Sequence, residues 1–464
     1  MRTHLLLMIC GVLPLLSSCS HTGSASKKEV RDGNFETLPF VGNFEVKRAT
    51  LPNGLRIIIQ KDTSSPTFAY QTWFNVGSRN EVPSKTGLAH LFEHMMFKGT
   101  SKYPDGRFDA LLEQAGAEGE NAFTSNDHTV YIQEMPKEGF DLISELESDR
   151  MVNLIVNDAS FKTEREVVQN ERRFRKENSP EGTMYQTLFE TAFTTHPYRW
   201  PVIGYEQDLT SMSAQDGRDF YTRFYSPDRA VIVVVGDVDE NRVLKRVERL
   251  YGHLSARKTE NPPYQAEPEQ SAQRRKRLEL NIEVEKVWLA FKIQGLNSSD
   301  TPAFEAIQGL LTEGRNGRLN RALVDAGIAT AVGSGSIALR DPSLFLIEAD
   351  LQKGKTALLA ESVILRELER LKNTPVKADE LKRATNVMRF RFMSRLLTSH
   401  GRAHVLGQFE TENGSVEAGL AQQEQVYSVT PEQIQETSKR VFQTAKLTVI
   451  TGVPKSAATG KDQQ

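Results

Sequence analysis

Residues 87–100, GLAHLFEHMMFKGT, place two histidines and a glutamate inside an apolar segment. On a helix, His90 and His94 are four residues apart, so their side chains project from one face and can share a metal ion. Zn²⁺ in a catalytic site takes three protein ligands and a water, and it binds neutral imidazole. Glu93 neighbours a ligand and is not itself a ligand by its spacing. Its carboxylate can face the water and accept a proton from it.

The same two histidines can also be read as ordinary surface or core residues. His400 and His404 have the same spacing, but no glutamate occupies the matching position between them. We expect no metal at that second pair. For His90 and His94, the intervening Glu93 and the apolar flanking residues favour a metal site.

The pattern H-x-x-E-H is the inverted motif of a class of zinc peptidases. It occurs here together with four other stretches that carry a wider resemblance. These stretches are VGSRNE (76–81), NAFTSNDHTVY (121–131), FKTEREVVQNE (161–171) and HPYRWPVIG (196–204). On these motifs the chain resembles the family of pitrilysin, insulin-degrading enzyme and mitochondrial processing peptidase, over nearly the whole body of the sequence.

The resemblance implies one Zn²⁺ per chain and a third ligand on a later helix. The family pattern E-R-x-x-V-x-x-E begins here at Glu164 and ends at Glu171, which takes the ligand position. Glu164 lies two helical turns earlier on the same face, where it would hold a ligand histidine and raise its basicity. The alternative for Glu171 is an exposed helix carboxylate, because arginines flank it in the sequence.

The stretch at 121–131 resembles the edge strand with which this family binds its substrate. Asn121, Ala122 and Phe123 would offer backbone groups to an extended peptide, which would dock by strand addition. An ordinary hairpin with a turn at 126–127 explains the same residues. A metal-dependent hydrolase of another substrate class is disfavoured because this stretch fits an extended peptide better than a small molecule.

The second half departs from the family pattern. Active members carry an Arg and a Tyr in a stretch like L-R-E-x-x-G-L-A-Y, where both groups stabilise the oxyanion. In the matching stretch, GRLNRALVDAGIATAVGS (317–334), these positions are Leu323 and Thr330. The resemblance therefore implies a heterodimer, in which a homologous subunit without the zinc motif supplies Arg and Tyr. The alternative is a scaffold or peptide-binding subunit with little or no catalysis.

Alternating strand and helix patterns predict an α+β fold. The ends of the two halves, 212–237 and 429–455, share a helix followed by a strand, which indicates a duplicated domain. The resemblance implies two homologous layered domains of the processing-peptidase type, forming half of a clamshell. We predict domains at 41–254 and 278–456, a proline-rich linker at 255–277 and a disordered tail at 457–464.

The leader has the features of an exported lipoprotein. Residues 5–16 form an apolar core too short to span a bilayer, and LSSC ends at Cys19. We predict a signal peptide with a lipobox at 1–18, lipidation of Cys19 and a flexible tether at 19–40. The lipid would anchor the chain on the periplasmic side of a bacterial envelope, in the outer membrane by the lipoprotein sorting pattern. A plain signal peptide cleaved nearby is the alternative.

Composition excludes several other classes. Both cysteines, Cys10 and Cys19, lie in the leader, so the mature body has no thiol or disulfide chemistry. The formal net charge is −2, from 58 Lys and Arg against 60 Asp and Glu, which argues against a nucleic-acid partner. The basic run RRKR at 274–277 is predicted to be the solvated edge of the linker.

Overall fold

The computed structural model describes residues 35–42, 44–177 and 179–455. The predicted signal peptide, Cys19 and the predicted tail lie outside the described residues. Two β-sheets with helices packed on both faces form the described part of the chain, which confirms the predicted α+β class. Within that part, no helix combines the length and the apolar character that crossing a membrane requires.

Within the described residues, twelve strands form the two sheets. The first sheet contains β1 (Glu36–Leu38), β2 (Val46–Thr50), β3 (Arg56–Lys61), β4 (Thr67–Phe74), β5 (Glu118–Thr124), β6 (Thr129–Pro136) and β7 (Ala230–Gly236). The second sheet contains β8 (Arg274–Leu280), β9 (Lys286–Ile293), β10 (Ala329–Ser336), β11 (Ser343–Leu351) and β12 (Leu447–Pro454).

The α-helices surround these sheets and are numbered in chain order. Those of the first half are α1 (Leu88–Met95), α2 (Arg107–Gln114), α3 (Phe140–Asn153), α4 (Asp158–Glu177), α5 (Pro180–Ala192), α6 (Glu206–Ser211), α7 (Ala214–Phe224) and α8 (Glu240–Tyr251). Those of the second half are α9 (Thr301–Leu311), α10 (Ala357–Asn373), α11 (Ala378–Arg395), α12 (Ser399–Glu412), α13 (Val416–Val426) and α14 (Pro431–Val441).

Five strands of the first sheet have the same topology as the five-stranded second sheet, as expected for a duplicated domain. The first sheet has the order β1-β2-β3-β7-β4-β6-β5, and the second has the order β8-β12-β9-β11-β10 when read in the matching direction. In each sheet one pair is parallel, β3 with β7 and β8 with β12, while the other pairs are antiparallel. The repeated ends also match, because α7 and α14 both begin with a capping box, at Ser213 and Thr430.

Helices cross between the two domains and hold them together. One face of the first sheet packs on the helices of its own half, and its other face packs Trp73 and Val233 against Ala403 and Leu406 of α12. The second sheet is covered in the reciprocal way by α5, through side chains that include Leu188. Each domain therefore buries apolar surface of the other, and this burial favours a fixed arrangement of the pair.

Two boundary predictions need correction. The predicted tether at 19–40 includes Glu36–Leu38, which forms β1 and pairs with β2, because Leu38 is buried against the first sheet. The predicted linker at 255–277 includes the first four residues of β8, a strand that has β12 as its one partner in the described part of the chain. The basic side chains at 274–277 suit this position, because charged residues on an edge strand discourage pairing with other chains. Residues 255–273 contain neither helix nor strand.

Candidate metal centre

Helix α1 carries the three residues of the H-x-x-E-H motif on a buried segment. Its first turn is held by Glu81, whose carboxylate accepts hydrogen bonds from the backbone N–H groups of Gly87 at 3.0 Å and Ala89 at 2.8 Å. Backbone N–H groups at a helix start have no partner within the helix, so a carboxylate there stabilises it. Glu81 belongs to the VGSRNE stretch, and its contact fixes where the metal-binding helix begins.

A close backbone approach fixes the same helix start from the other side. Gly87 has φ +90° and Gly204 has φ +83°, and both values strongly favour glycine. A Cβ on Gly204 would lie 2.3 Å from the Thr86 carbonyl oxygen, and a Cβ on Gly87 would lie 2.5 Å from the Ile203 carbonyl oxygen. Two glycines therefore allow the chain at 86–87 to cross the chain at 203–204.

Helix α4 supplies the carboxylates. Its inner face is buried through Phe161, Val168 and Arg172, and Arg172 Nε donates to the Gly204 carbonyl at 2.9 Å. This packing turns Glu164 and Glu171, which lie on nearly the same side of the helix, toward α1. The structure therefore brings both predicted acids to the histidine pair.

The three predicted ligands converge. Oε2 of Glu171 lies 3.4 Å from Nε2 of His94 and 3.7 Å from Nε2 of His90, and one ligand atom from each of the three residues lies within 4.8 Å of the others. These distances are long for hydrogen bonds. Ligand atoms about 2.0–2.2 Å from a tetrahedral ion lie about 3.3–3.6 Å apart, so the donor set fits a zinc ion. In the described part of the chain, this is the only such group of three donors.

The charges around the histidines follow from burial and from the acids. Burial and the charge of neighbouring His94 lower the pKa of His90, which favours the neutral imidazole that a metal binds. Burial opposes protonation of His94, but its carboxylate partners Glu164 and Glu171 raise the pKa of His94. Metal binding at His94 therefore has to release a proton.

Glu164 connects the centre to a lysine. Its Oε2 lies 3.4 Å from Nδ1 of His94, and its Oε1 forms a 2.8 Å ion pair with Nζ of Lys98. This is the position expected for a carboxylate that orients a ligand histidine from behind. On the other carboxylate, Arg175 forms a 2.6 Å ion pair with Oε1 of Glu171, which leaves Oε2 directed to the histidines.

Glu93 points to the strand β5. Its Oε2 accepts a 2.5 Å hydrogen bond from Oγ1 of Thr124, the last residue of that strand. Burial raises the pKa of Glu93, and the hydrogen bond from Thr124 opposes this rise. A buried carboxylate with a raised pKa beside a metal site has the properties of a proton acceptor.

The predicted peptide-binding residues lie on a free sheet edge beside the centre. Asn121, Ala122 and Phe123 belong to β5, the last strand of the first sheet, which among the described residues pairs only with β6. The other edge of β5 is available for an added strand. Because Thr124 ends this strand and contacts Glu93, a peptide paired with β5 would run past the candidate metal centre.

Several residues of the site were not predicted from the sequence. Glu81, Lys98 and Thr124 lie within the motifs, but the sequence predicts no role for them, and Arg175 lies four residues after Glu171 on the same helix face. The i, i+4 spacing of Arg175 from Glu171 is the sequence signal that indicates this ion pair. Glu81 contacts the start of α1 a few residues later, whereas the contacts of Lys98 and Thr124 depend on how α1, α4 and β5 pack.

The two departures in the second half lie in different environments. Leu323 is fully buried in the core of the second domain, while Thr330 is exposed on β10 and donates to the Asp350 carbonyl at 3.1 Å. Neither side chain carries a charge or a phenol. Arg340 and Tyr427 lie too far along the chain to take these positions, and both have other contacts, Arg340 with Asn75 and Tyr427 with the guanidinium of Arg389 above its ring.

Comparison with known proteins identifies similar chains of the same architecture. A family model described as insulinase (peptidase family M16) matches residues 56–205, and one described as the peptidase M16 inactive domain matches residues 211–388. The zinc protease PqqE of Helicobacter pylori is 31% identical over 369 residues, which are 78% of this chain and 83% of that protein.

Solved structures show the same two-domain fold. The crystal structure of a protease from Helicobacter pylori has a TM-score of 0.83 at 30% identity, and the match covers 88% of this chain and 99% of that one. The peptidase M16 inactive domain from Pseudomonas fluorescens has a TM-score of 0.75, with coverage of 89% and 98%. Its identity of 18% supports a likeness of fold alone. The predicted fold type is confirmed by these matches.

Proposed function

The chain belongs to peptidase family M16, and from this premise we propose that it is a zinc-dependent endopeptidase for peptides or unfolded polypeptide segments. The observation that carries the proposal is the convergence of His90, His94 and Glu171 from two helices, with the Glu93 carboxylate beside them. The distances from the Glu171 oxygen to the two imidazole nitrogens, 3.4 and 3.7 Å, are close to the separations between ligand atoms in a tetrahedral zinc site.

His90, His94 and Glu171 would hold the ion, and Glu164 would fix the orientation of His94 through its second ring nitrogen. Bound zinc in such a site polarises a carbonyl group and lowers the pKa of its water. Glu93 would accept the proton from the attacking water and pass it to the leaving amine.

Peptide binding is assigned to the free edge of β5. Asn121, Ala122 and Phe123 would pair through their backbone groups with an extended segment, so folded proteins would be poor substrates. Backbone pairing recognises an extended conformation more than a particular sequence. This role therefore fits a broad range of unfolded segments.

The variant Glu93→Gln tests the proposal directly. It keeps the shape of the side chain but removes its basicity, so we expect cleavage of fluorescein-labelled casein to fall by about 10²–10⁴-fold. Zinc content measured by inductively coupled plasma mass spectrometry is expected to stay at one ion per chain. Wild-type cleavage rates in the variant, or no zinc in unchelated wild-type protein, would overturn the assignment.

We infer that full activity needs a homologous partner subunit that supplies Arg and Tyr to the site. The support is that Leu323 and Thr330 occupy the matching positions and provide neither group. Oxyanion stabilisers are typically worth about 10²–10³ in kcat. Co-expression with a paralogue that lacks H-x-x-E-H is expected to raise cleavage by about that factor, and full activity of the chain alone would contradict the inference.

A scaffold or peptide-binding subunit is the second candidate function, and the same departures at Leu323 and Thr330 favour it. In that case the chain would hold zinc and bind extended peptides without cleaving them. Glu93→Gln separates the two candidates. A scaffold is indifferent to this change, whereas an endopeptidase loses its cellular function.

We also infer a location in a bacterial envelope, with a lipid anchor at Cys19 to the outer membrane. The support is the sequence of the leader, with its short apolar core followed by LSSC. Membrane fractionation of the Cys19→Ala variant tests this. The wild-type chain is expected to sediment with outer membranes and the variant is not, whereas equal distributions would contradict the anchor.

A further inference from the structure

The two β-hairpins that end near the domain interface meet at their turns. In the first domain, the β5–β6 hairpin turns at residues 125–128, directly after Thr124. In the second domain, the β10–β11 turn spans residues 337–342. The backbone N–H of Arg340 donates to Oδ2 of Asp127 at 2.8 Å, so the second turn contacts the first directly.

A buried arginine bridges the two turns. Nη1 of Arg79 donates to Oδ1 of Asp127 at 3.2 Å and to Oδ2 of Asp341 at 2.8 Å. The Tyr198 hydroxyl donates to the Asp127 carboxylate, with distances of 2.9 and 3.0 Å to its two oxygens, and accepts from the Asp341 backbone N–H at 3.1 Å. Arg79, Asp127 and Tyr198 are all buried, so these bonds form in a medium where losing one partner is costly.

The same network includes the segment between the domains. The Tyr264 hydroxyl donates to Oδ2 of Asp341 at 2.6 Å, and Nε2 of His196 lies 3.3 Å from that oxygen. Burial opposes ionisation of Asp341, but His196, Tyr264 and the charge of Arg79 lower its pKa to about 2. The Asp341 carboxylate of the second domain is therefore charged, and Arg79, Tyr264 and His196 contact it.

The first hairpin is also fixed at its backbone. The N–H groups of Ser78 and Arg79 donate to the carbonyls of Ser125 and Asn126 at 3.1 and 2.9 Å. Gly77 permits this contact, because a Cβ there would lie 2.5 Å from the Ser125 carbonyl oxygen. The segment that carries Arg79 thus packs on the turn, and the next contact along the hairpin is the one between Thr124 and Glu93.

We propose that the β10–β11 turn of the second domain is a positioning element for the active site of the first. Asp341, through Arg79 and Asp127, fixes the β5–β6 hairpin and with it the peptide-binding edge and the Thr124 hydroxyl that orients Glu93. The inference rests on the proposed peptidase function for its kinetic consequences. Its structural part, the restraint of the hairpin by Asp341, stands independently of that function.

Two variants, Asp341→Asn and Asp127→Asn, test the proposal against a matched control. The control is Asp62→Asn, which breaks another ion pair between the domains, that of Asp62 with Arg402 of α12. Asp62 directly follows β3. It therefore lies at one end of the first sheet, and the β5–β6 turn lies at the opposite end. Loss of stability alone would affect all three variants alike.

Hydrogen exchange of the full chain, read by mass spectrometry, is the first measurement. In both test variants we expect the backbone amides of residues 118–129 to exchange several-fold faster than in wild type, while the exchange rate of β3 stays unchanged. In the control we expect the exchange rate of residues 118–129 to equal that of wild type. If Asp341→Asn proves insoluble, Tyr264→Phe removes one hydroxyl donor and is expected to show a smaller increase in the same residues. Exchange over 118–129 equal to that of the control would overturn the proposal.

The second measurement is cleavage of fluorescein-labelled casein by the chain co-expressed with the homologous partner subunit inferred above. A displaced binding edge is expected to raise KM and to lower kcat/KM by about tenfold to 100-fold, with zinc content unchanged. The control is expected to keep both constants. If Glu93→Gln cleaves normally, the proposed function fails while the exchange result still decides the positioning role. If Glu93→Gln is inactive and Asp341→Asn matches the control in both measurements, only the positioning role fails.

Discussion

Thr124 donates a 2.5 Å hydrogen bond to Glu93 across the boundary between the β5 strand and the α1 helix. The bond links the strand proposed to bind the peptide to the carboxylate proposed to take the proton. The bond therefore fixes the distance between β5 and the Glu93 carboxylate. Fixed distances of this kind matter because small displacements of reacting groups reduce rates strongly.

Thr124→Val replaces the hydroxyl with a methyl group of similar size and leaves the Glu93 carboxylate without this donor. Hydrogen bonds to charged groups are worth about 1.5–3 kcal/mol, so we expect kcat to fall by roughly tenfold to 100-fold. Steady-state kinetics on labelled casein give the value. Thr124→Ser keeps the hydroxyl and is expected to remain within a few-fold of wild type, and an equal loss in both variants would argue against the hydrogen bond as the cause.

Glu164→Gln removes the negative charge that faces Nδ1 of His94 and pairs with Lys98. Because such a carboxylate raises the basicity of its ligand histidine, we expect zinc affinity to fall by about 10–100-fold. Competition with a calibrated chelator measures the change. Glu166→Gln, on the exposed side of the same helix, serves as the control, and it is expected to bind zinc like wild type. Equal affinities in the two variants would exclude an orienting role for Glu164.

Those parts of the site that depend on short sequence distances could be predicted. His90, Glu93 and His94 lie within about one helical turn of each other, and the seven-residue spacing places Glu164 and Glu171 on one helix face. That this face meets the histidines is implied by the family resemblance, because the two helices are distant in the sequence. Their roles as ligands and base stay predictions, although the structure brings them together. The α+β class followed from equally local signals, namely the alternating and helical periodicities.

The parts that escaped prediction depend on packing between distant segments. The contact between Arg79 and Asp341 joins residues 262 positions apart. Nothing in the sequence around either residue distinguishes it from an ordinary charged residue on the protein surface. The strand β1 is only three residues long, Glu36–Leu38, which is too short for an alternating pattern to reveal it. The charges of the run at 274–277 predict a linker and conceal an edge strand, which is defined by its pairing with β12.

Gly204→Ala places a methyl group 2.3 Å from the Thr86 carbonyl oxygen at a residue with φ +83°. The unfavourable φ and the backbone clash together predict a loss of about 2–4 kcal/mol in the free energy of unfolding. The start of α1 must also shift, so zinc affinity is expected to fall. Gly106→Ala is the control, because Gly106 has φ +74° before α2 but no atom within 4 Å of its Cβ position.

Urea denaturation of both glycine variants measures the difference. The control has only the conformational cost of about 1–2 kcal/mol and is expected to bind zinc normally. Equal losses in the two variants would mean that the approach of residues 86–87 to residues 203–204 contributes nothing beyond backbone conformation.

Glu267 gives the segment between the domains a pH-dependent contribution to stability. It accepts hydrogen bonds from the backbone N–H groups of Thr194 and Thr195, both at 2.9 Å, and from Nζ of Lys292 at 2.7 Å. Burial opposes its ionisation, but Lys292 and these N–H groups lower its pKa from 4.5 to about 2. A lowered folded-state pKa stabilises the protein above the unfolded-state value, and the contribution is lost as pH falls from about 4.5 toward 2.

Glu267→Gln is therefore expected to lower the free energy of unfolding by about 2 kcal/mol at pH 7, where the wild-type carboxylate is fully ionised in both states. At pH 3 the unfolded wild-type chain binds a proton that the folded chain does not, so the difference between wild type and variant is expected to shrink. Urea midpoints at the two pH values measure this change. Glu269→Gln alters a neighbouring exposed ion pair with Lys446 and is the control, expected to show little effect at either pH. A difference for Glu267→Gln that does not change with pH would show that the carboxylate stabilises the segment by its shape and not by its charge.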